Sequence, residues 1–229
     1  MTGDDAAVVL LSGGMDSATA AYETAADGFA LHALHISYGQ TTADIEATCA
    51  RDLAAALDVE EFLTVDTEHL RRIGGSSLTD AAIPVADADV TSETIPTSYV
   101  PFRNANLLSM AVSFAETAGC SRVVIGAHSE DYAGYPDCRP AFFDAFQHVA
   151  DLGTKPETSI TIASPFATWS KTEIVQRGSD LGVPFGQTWS CYRQAPPACG
   201  TCDSCAYRLE AFANAGLTDP IEYEPGLTH

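Results

Sequence analysis

The chain has 229 residues, 46% of them hydrophobic, and its 31 acidic against 11 basic residues give a net charge of −20. This length and composition predict one globular core and exclude a disordered or repetitive chain. The N-terminal residues lack the basic start and apolar core of a signal peptide, and no apolar run reaches the roughly 18 residues that span a membrane. We therefore expect a cytoplasmic protein with no membrane partner.

The strongly acidic composition limits the partners that the surface can attract. The acidic residues are scattered along the chain instead of forming a tail. This favours adaptation to a high-salt cytoplasm over an acidic surface for one partner. Because such a surface repels a phosphate backbone at low salt, we expect small-molecule substrates and no direct nucleic-acid partner.

Short apolar runs alternate with alanine-rich or amphipathic stretches along most of the chain. The runs at 6–11, 30–37, 61–67, 122–127 and 160–163 predict strands, and the stretches at 16–26, 43–57, 104–118, 140–152 and 171–181 predict helices. Residues 68–96 are rich in Gly, Ser, Thr and Asp without periodicity, which predicts a mobile excursion. Strands that alternate with helices indicate an α/β fold with a doubly wound parallel sheet.

The segment after the first predicted strand has the features of an anion-binding loop. It reads S-G-G-M-D-S and runs into the first helix. Two glycines let the backbone approach an anion, the helix N-terminus offers free N–H groups, and the serine hydroxyls add donors. Asp16 has the wrong charge for a phosphate contact, which leaves a helix cap or a Mg²⁺ ligand as its interpretations. The predicted binding residues are Leu11, Ser12, Gly13, Gly14, Met15, Asp16 and Ser17.

This loop is neither a Walker motif nor a G-x-G-x-x-G fingerprint, because it lacks the lysine of the first and the spacing of the second. S-G-G-x-D-S resembles the PP-loop of the N-type ATP pyrophosphatases. The resemblance implies an adenine nucleotide α-hydrolase-like fold, ATP with Mg²⁺ as cosubstrate, and cleavage between the α and β phosphates through adenylated intermediates.

Four cysteines crowd into the C-terminal part of the chain as C-x₇-C-x₂-C-x₂-C. Four thiolates suit a closed, structural zinc site, and the rival iron–sulfur cluster lacks the continuation of a ferredoxin motif. We therefore predict one structural Zn²⁺ per chain. The predicted ligands are Cys191, Cys199, Cys202 and Cys205.

The remaining cysteines and the histidines are less informative. Cys49 and Cys120 are interpreted as small apolar residues. Cys138 follows a buried strand, where it is either a nucleophile or an inert pocket thiol. His128 ends a predicted strand and is either a general base or a bystander, and His35 is assigned no chemistry.

Further stretches extend the resemblance over nearly the whole chain. Residues 12–17, 38–40, 96–104, 134–139 and 188–205 together resemble the 7-cyano-7-deazaguanine synthases of the QueC type. The resemblance implies that 7-carboxy-7-deazaguanine, ammonia and two ATP give the nitrile, a precursor of the queuosine and archaeosine bases of tRNA. It also suggests a homodimer. We expect a nucleotide-binding PP-loop domain at 1–185 and a zinc-binding helical region at 186–229 packed on the same core.

The same resemblance suggests roles for five further residues. Arg103 is predicted to stabilise a phosphate or an adenylate. Asp137 is assigned to the guanine-like edge of the substrate and Arg139 to its carboxylate. Tyr38 and Gln40 follow the second strand, where they either line an adenine pocket or form a structural turn.

One departure and two alternatives stay open at this point. Phe102 stands where many relatives carry a glycine or another small residue, which leaves the wall beside Arg103 undefined. A PP-loop tRNA thiolase would pass sulfur through Cys138, although the acidic surface and the absence of an RNA-binding extension disfavour it. A zinc-containing binding module, with the glycine loop as a plain turn, would not turn over ATP.

Overall fold

The computed structural model describes residues 6–89, 94–129 and 134–225. The strands are β1 (Ala6–Leu10), β2 (Ala30–Ser37), β3 (Glu61–Asp66), β4 (Arg122–Val124) and β5 (Thr161–Ala163). The helices are α1 (Met15–Ala26), α2 (Ala43–Ala56), α3 (His69–Ile73), α4 (Arg103–Ala118), α5 (Pro140–Gly153), α6 (Lys171–Asp180) and α7 (Asp203–Asn214). Within these ranges no helix has the length and apolar character needed to cross a membrane.

The described strands form one parallel sheet in the order β3-β2-β1-β4-β5. Strand β1 lies at its centre, where Ala6 pairs with Ala30 of β2 and Val8 pairs with Val123 of β4. Because β1 is apolar along its whole length, it can be covered by helices on both faces. The predicted doubly wound parallel sheet is confirmed, and its strand order reverses between β1 and β4.

Each face of the sheet carries its own hydrophobic core. On one face α1, α2, α6 and α7 pack around residues such as Leu11, Leu53 and Ile174. On the other face α4 and α5 pack around Leu108 and Phe143. A doubly wound sheet of this kind opens a crevice at the carboxyl edge of the strands, where the order reverses.

Strand β4 is shorter than predicted because the chain leaves the sheet early. The prediction extended to residue 127, but the strand ends at Val124. A Cβ on Gly126 would lie 2.9 Å from the backbone of Asp16, so the chain passes directly against the start of α1. Residues 125–127 thereby line the crevice instead of extending the sheet.

The predicted excursion at 68–96 is more ordered than its composition indicated. It contains the short helix α3, and its side chains Leu70 and Leu78 pack with Tyr38 and Val100 in a separate cluster. Ser76 is fully buried and donates to the Ser98 carbonyl. These residues therefore pack against the rest of the chain, while the mobility of the segment stays a prediction, and residues 90–93 lie outside the described part of the chain.

The C-terminal region packs on the same core as the sheet. Ala211 and Phe212 of α7 belong to the cluster that covers one face, and Phe212 meets Phe185 edge to face. The boundary at residues 185 and 186 stays a prediction.

Candidate functional site

A cleft of about 230 Å³ lies at the point where the strand order reverses. Its walls come from the ends of β1, β2 and β4 and from the starts of α1, α4 and α6. Predicted residues that line it are Leu11, Ser12, Gly14, Asp16, Ser17, Tyr38 and Arg103.

The glycine loop after β1 presents backbone donors to the cleft. The helix α1 begins after Gly14 without a side-chain cap, so its first N–H groups stay available to an anion. The Ser12 and Ser17 hydroxyls lie 2.9 Å apart, and Ser17 Oγ donates to the Gly14 carbonyl at 3.0 Å. Gly13 has a φ of +90°, and a Cβ there would lie 2.4 Å from the Glu46 carbonyl. The loop thus requires glycine at this position.

Asp16 does not cap helix α1 but faces two basic groups across the cleft. Its Oδ2 lies 3.0 Å from Lys171 Nζ and 3.8 Å from His128 Nε2. Burial raises the pKa of this carboxyl, but the charge of Lys171, aided by His128, holds the pKa below its ordinary value of 3.8. Among the described residues, its buried Oδ1 has no hydrogen-bond partner. An ionised carboxylate with one uncommitted buried oxygen suits a hard cation.

Lys171 reaches the cleft from the first residue of α6. A capping box starts this helix, because Ser170 accepts from the Glu173 N–H and the Glu173 carboxylate accepts from the Ser170 N–H. The side chain of Lys171 is 12% exposed. A cation at a helix N-terminus opposes the helix dipole, so the helix itself gains nothing from Lys171 there.

Arg103 occupies the equivalent unfavourable position on α4. It is the first residue of that helix, and its Nη1 donates to Tyr38 Oη at 3.3 Å. Its guanidinium lies 5.8 Å from the centre of the Tyr38 ring. Phe102, which precedes it, adopts a left-handed φ of 57° and is 61% exposed. Two cations, Lys171 and Arg103, thus face the cleft of a chain with net charge −20.

The four clustered cysteines form a buried site beside the cleft. Their sulfur atoms all lie within 4.8 Å of one another. Backbone N–H groups of Arg193 and Cys199 donate to Cys191 Sγ, and the Cys202 N–H donates to Cys199 Sγ. Sulfur atoms that converge this closely and accept N–H bonds form a set suited to one metal ion.

Comparison with known proteins identifies the family. The family described as queuosine biosynthesis protein QueC matches residues 6–216 of the chain. The chain belongs to the QueC family. The 7-cyano-7-deazaguanine synthase of Haloarcula marismortui is 65% identical over 224 residues, which cover 97% of each chain. The enzyme of the same name from Halobacterium salinarum is 61% identical over 217 residues and 95% of each chain.

A solved structure with the same architecture is an NMN synthetase from Francisella tularensis. It superposes with a TM-score of 0.52 at 18% identity, over 94% of this chain and 79% of that one. At this identity the likeness shows the fold alone. The QueC membership shows that the chain is an enzyme of deazaguanine-type biosynthesis. The relatives from Haloarcula and Halobacterium agree with the high-salt interpretation of its acidic composition.

Several predicted residues of this QueC-family chain lie away from the cleft surface. Among the described residues, Gly13, Met15 and Gln40 do not line it, and Met15 belongs to the core. Gln40 accepts from the Tyr38 N–H at 2.9 Å and donates to Glu46 at 2.8 Å. These bonds favour the structural-turn interpretation for Gln40.

Asp137 and Arg139 also stand outside the lining residues. The buried Asp137 carboxylate accepts from the Asn104 N–H at 2.8 Å, which stabilises the start of α4 next to Arg103. Arg139 is exposed and precedes α5. The structure therefore places Asp137 behind Arg103, and the predicted substrate contacts of both residues stay predictions.

The structure adds cleft residues that sequence reasoning missed. Lys171, Glu46 and Trp189 line the cleft. Burial raises the pKa of Glu46 above its ordinary value of 4.5, although hydrogen bonds from Thr42 and Gln40 oppose this. Lys171 had a signal in the sequence, since it is one of two lysines and directly follows the capping residue Ser170. Glu46 looks like any other acid of an amphipathic helix.

Cys138 lies in the cleft wall as a buried thiol. Asn104 Nδ2 approaches its sulfur at 3.2 Å. Asn104 also donates to the Asp137 carbonyl at 3.0 Å, so the 3₁₀ turn at Pro136–Cys138 is tied to the start of α4. Two of the stretches that carry the family resemblance, 96–104 and 134–139, therefore meet at this wall.

Proposed function

We propose that the chain converts 7-carboxy-7-deazaguanine and ammonia to 7-cyano-7-deazaguanine at the expense of two ATP. The first adenylation turns the carboxylate into an acyl adenylate and releases pyrophosphate, after which ammonia displaces AMP to give the amide. The second adenylation of the amide oxygen releases a second pyrophosphate and one N–H proton, and loss of AMP with the remaining N–H proton leaves the nitrile. The observation that carries this proposal is the glycine loop facing Lys171 and Arg103 in a QueC-family chain.

The glycine loop would bind the phosphates that leave. The first N–H groups of α1 have no side-chain cap, and the Ser12 hydroxyl, which accepts from the Gly14 N–H at 3.2 Å, would donate its own proton to an anion. Lys171 Nζ lies beside the loop, 3.0 Å from Asp16, where its ammonium group would offset the charge that develops on pyrophosphate. The fixed donors are in place before the reaction, so little reorganisation opposes bond cleavage.

A Mg²⁺ ion bound with ATP fits Asp16. The buried, unpartnered Oδ1 supplies a ligand, and the lowered pKa keeps the carboxylate ionised at neutral pH. When bound, the ion would neutralise phosphate charge. Asp16 itself holds Lys171 at 3.0 Å and thereby orients the ammonium group along the cleft.

Arg103 would act on the phosphate that stays with the substrate. Its positive charge at the start of α4 interacts unfavourably with the helix dipole. An anion bound by the guanidinium would offset this cost. Tyr38 and the Asn104–Asp137 contacts hold it from two sides. We assign Arg103 to the adenylate, Tyr38 to the adenine side of the pocket, and Asp137 to positioning Arg103.

We further propose that the cysteine cluster binds zinc in a structural role. Sulfur atoms around one tetrahedral zinc ion, with Zn–S of about 2.3 Å, lie close together. The ligands of an iron–sulfur cluster bind separate iron atoms and lie further apart. Sulfur atoms within 4.8 Å of one another favour the single ion. The site would hold the region 186–229 together, since all four ligands lie within it.

The test is mass spectrometry of purified protein in high salt with Mg²⁺, ATP, ammonium and 7-carboxy-7-deazaguanine. We expect the nitrile together with two AMP per product, and the amide as a transient species. Formation of AMP without the amide or the nitrile would overturn the proposed substrate. It would still show that the chain cleaves ATP to AMP, which a PP-loop thiolase would also do. No AMP at all would overturn the enzyme mechanism.

A further inference from the structure

Arg208 is a fully buried cation behind the cleft. It lies on α7, one turn after Cys205, and its relative exposure is 0%. Its Nε and Nη2 donate to the two carboxylate oxygens of Asp219 at 2.7 and 2.9 Å. Tyr223 Oη donates to the same carboxylate at 2.6 Å. A buried ion pair loses much of its Coulomb energy to desolvation, so stability alone is a weak reason for it.

The remaining donors of Arg208 hold the segment 185–190. Its Nη2 donates to the Phe185 carbonyl at 3.1 Å, and its Nη1 donates to Thr188 Oγ1 at 2.8 Å and Ser190 Oγ at 3.2 Å. Three positions of one short segment are therefore bonded to a single planar group. Asp219 fixes that group from the other side.

This segment holds the glycine loop in turn. The Trp189 N–H donates to the Gly13 carbonyl at 2.8 Å. In a planar trans peptide the C=O and N–H point in opposite directions, so this bond also fixes the direction of the Gly14 N–H. The Gly13–Gly14 unit has little conformational restraint of its own, because neither residue has a Cβ. Besides the Gly14 N–H bond to Ser12 Oγ within the loop, the Trp189 bond holds this peptide unit from outside the loop.

We infer that Arg208 is a positioning residue of the phosphate loop, acting through the segment 185–190 and the Trp189–Gly13 hydrogen bond. The inference rests on the proposed function in that the loop binds ATP phosphates. Arg208 thereby fixes the Gly13–Gly14 peptide, whose N–H donates to Ser12 Oγ at 3.2 Å, and so positions the loop donors for the anion without touching it. Replacement of Arg208 thus raises the Kd for the nucleotide more than it changes the KM for the carboxylate substrate.

The test compares Arg208→Lys and Thr188→Val with wild type. Lysine keeps the charge but cannot reach Asp219 and the segment 185–190 together. Valine at 188 removes one acceptor and leaves the buried ion pair intact. The control is Arg177→Lys, because Arg177 pairs with Glu23 between α6 and α1, away from Gly13. The probe is the non-cleavable α,β-methylene ATP, with binding measured by calorimetry.

We expect the Kd of the analogue to rise about tenfold in Arg208→Lys and about threefold in Thr188→Val. The KM for 7-carboxy-7-deazaguanine should stay within twofold, and Arg177→Lys should bind as wild type. Hydrogen exchange of the peptide covering residues 11–17 should be faster in both variants without nucleotide. This last readout needs no catalysis, so it tests the inference even if wild type makes no nitrile.

The inference would be overturned if folded Arg208→Lys and Thr188→Val bound the analogue with wild-type affinity and residues 11–17 exchanged hydrogen at the wild-type rate. Their melting temperatures would not alter this conclusion. If Arg208→Lys does not fold, Thr188→Val decides by the same criteria. Wild type that binds the analogue but forms no nitrile would overturn the proposed reaction alone. Wild type that binds no analogue would overturn the role of the loop and the inference with it.

Discussion

The cysteine cluster and the cleft lie next to each other but are assembled differently. The cluster takes its four ligands from residues 191–205, and all four are buried with their sulfur atoms converging. The cleft takes Asp16, Arg103 and Lys171 from three helices far apart in sequence, and a buried oxygen of Asp16 has no partner in the part of the chain that the structure describes. A closed local site serves stability, whereas an open site with uncommitted polar atoms serves binding. Substitutions in the two regions should therefore have separable effects.

The largest expected effect is on the cluster side. Cys202→Ser should release the metal and lower the melting temperature by about 10 °C or more, because metal binding in such sites is part of the folding free energy. Zinc content by atomic emission and thermal unfolding by circular dichroism measure this. Cys120→Ala, at a buried cysteine outside both regions, should keep its zinc and shift the melting temperature by only a few degrees. Full zinc content in Cys202→Ser would contradict the assignment of the ligands.

The next effect separates the cleft from the cluster. Lys171→Met should lower kcat by about 10²–10³-fold while the zinc content and melting temperature stay near wild type, because it removes charge stabilisation from the leaving pyrophosphate. The matched control is Lys155→Met, which replaces the other lysine of the chain on an exposed surface. Steady-state release of AMP is the measurement. Equal activity of the two variants would remove Lys171 from the mechanism.

Salt should act on the fold without acting on the metal. With a net charge of −20, self-repulsion destabilises the compact state, and screening reduces it. We expect the melting temperature to rise by about 10 °C between roughly 0.1 and 2 M KCl, while zinc per folded chain stays constant. A melting temperature independent of KCl would disprove the high-salt interpretation.

The smallest effect concerns the pKa of Glu46 in the cleft wall. Because burial raises this pKa above its ordinary value of 4.5, the stability contributed by Glu46 is present below about pH 4.5 and lost as pH rises through the folded pKa. Glu46→Gln should therefore raise the melting temperature by about 2 °C at pH 7.5 and leave it unchanged at pH 4. Thermal unfolding at both pH values, followed by circular dichroism, provides the check. A gain of equal size at pH 4 would point to a cause other than ionisation.

Prediction from sequence succeeded where the signal is local. The bounds of β2 were predicted as observed, and those of α4 and α5 within one residue, because apolar periodicity decides which face of an element is buried. It failed for α3, since a helix of five residues has no periodicity to detect. It also failed for the packing of residues 68–89, where the buried Ser76 hydroxyl donates to the backbone carbonyl of Ser98, 22 positions away.

The sequence by itself determined the parallel sheet, the position of the glycine loop and the four cysteines, since each depends on residues close together in the chain. The tertiary structure decided which side chains complete the cleft. It brings Lys171 to 3.0 Å from Asp16, places Asp137 behind Arg103, and connects Arg208 to Gly13 through Trp189. These contacts join residues that lie 20 to 176 positions apart, from the Thr188–Arg208 bond to the Gly13–Trp189 bond. No local pattern records such a distance, because it results from how the strands and helices are ordered in space.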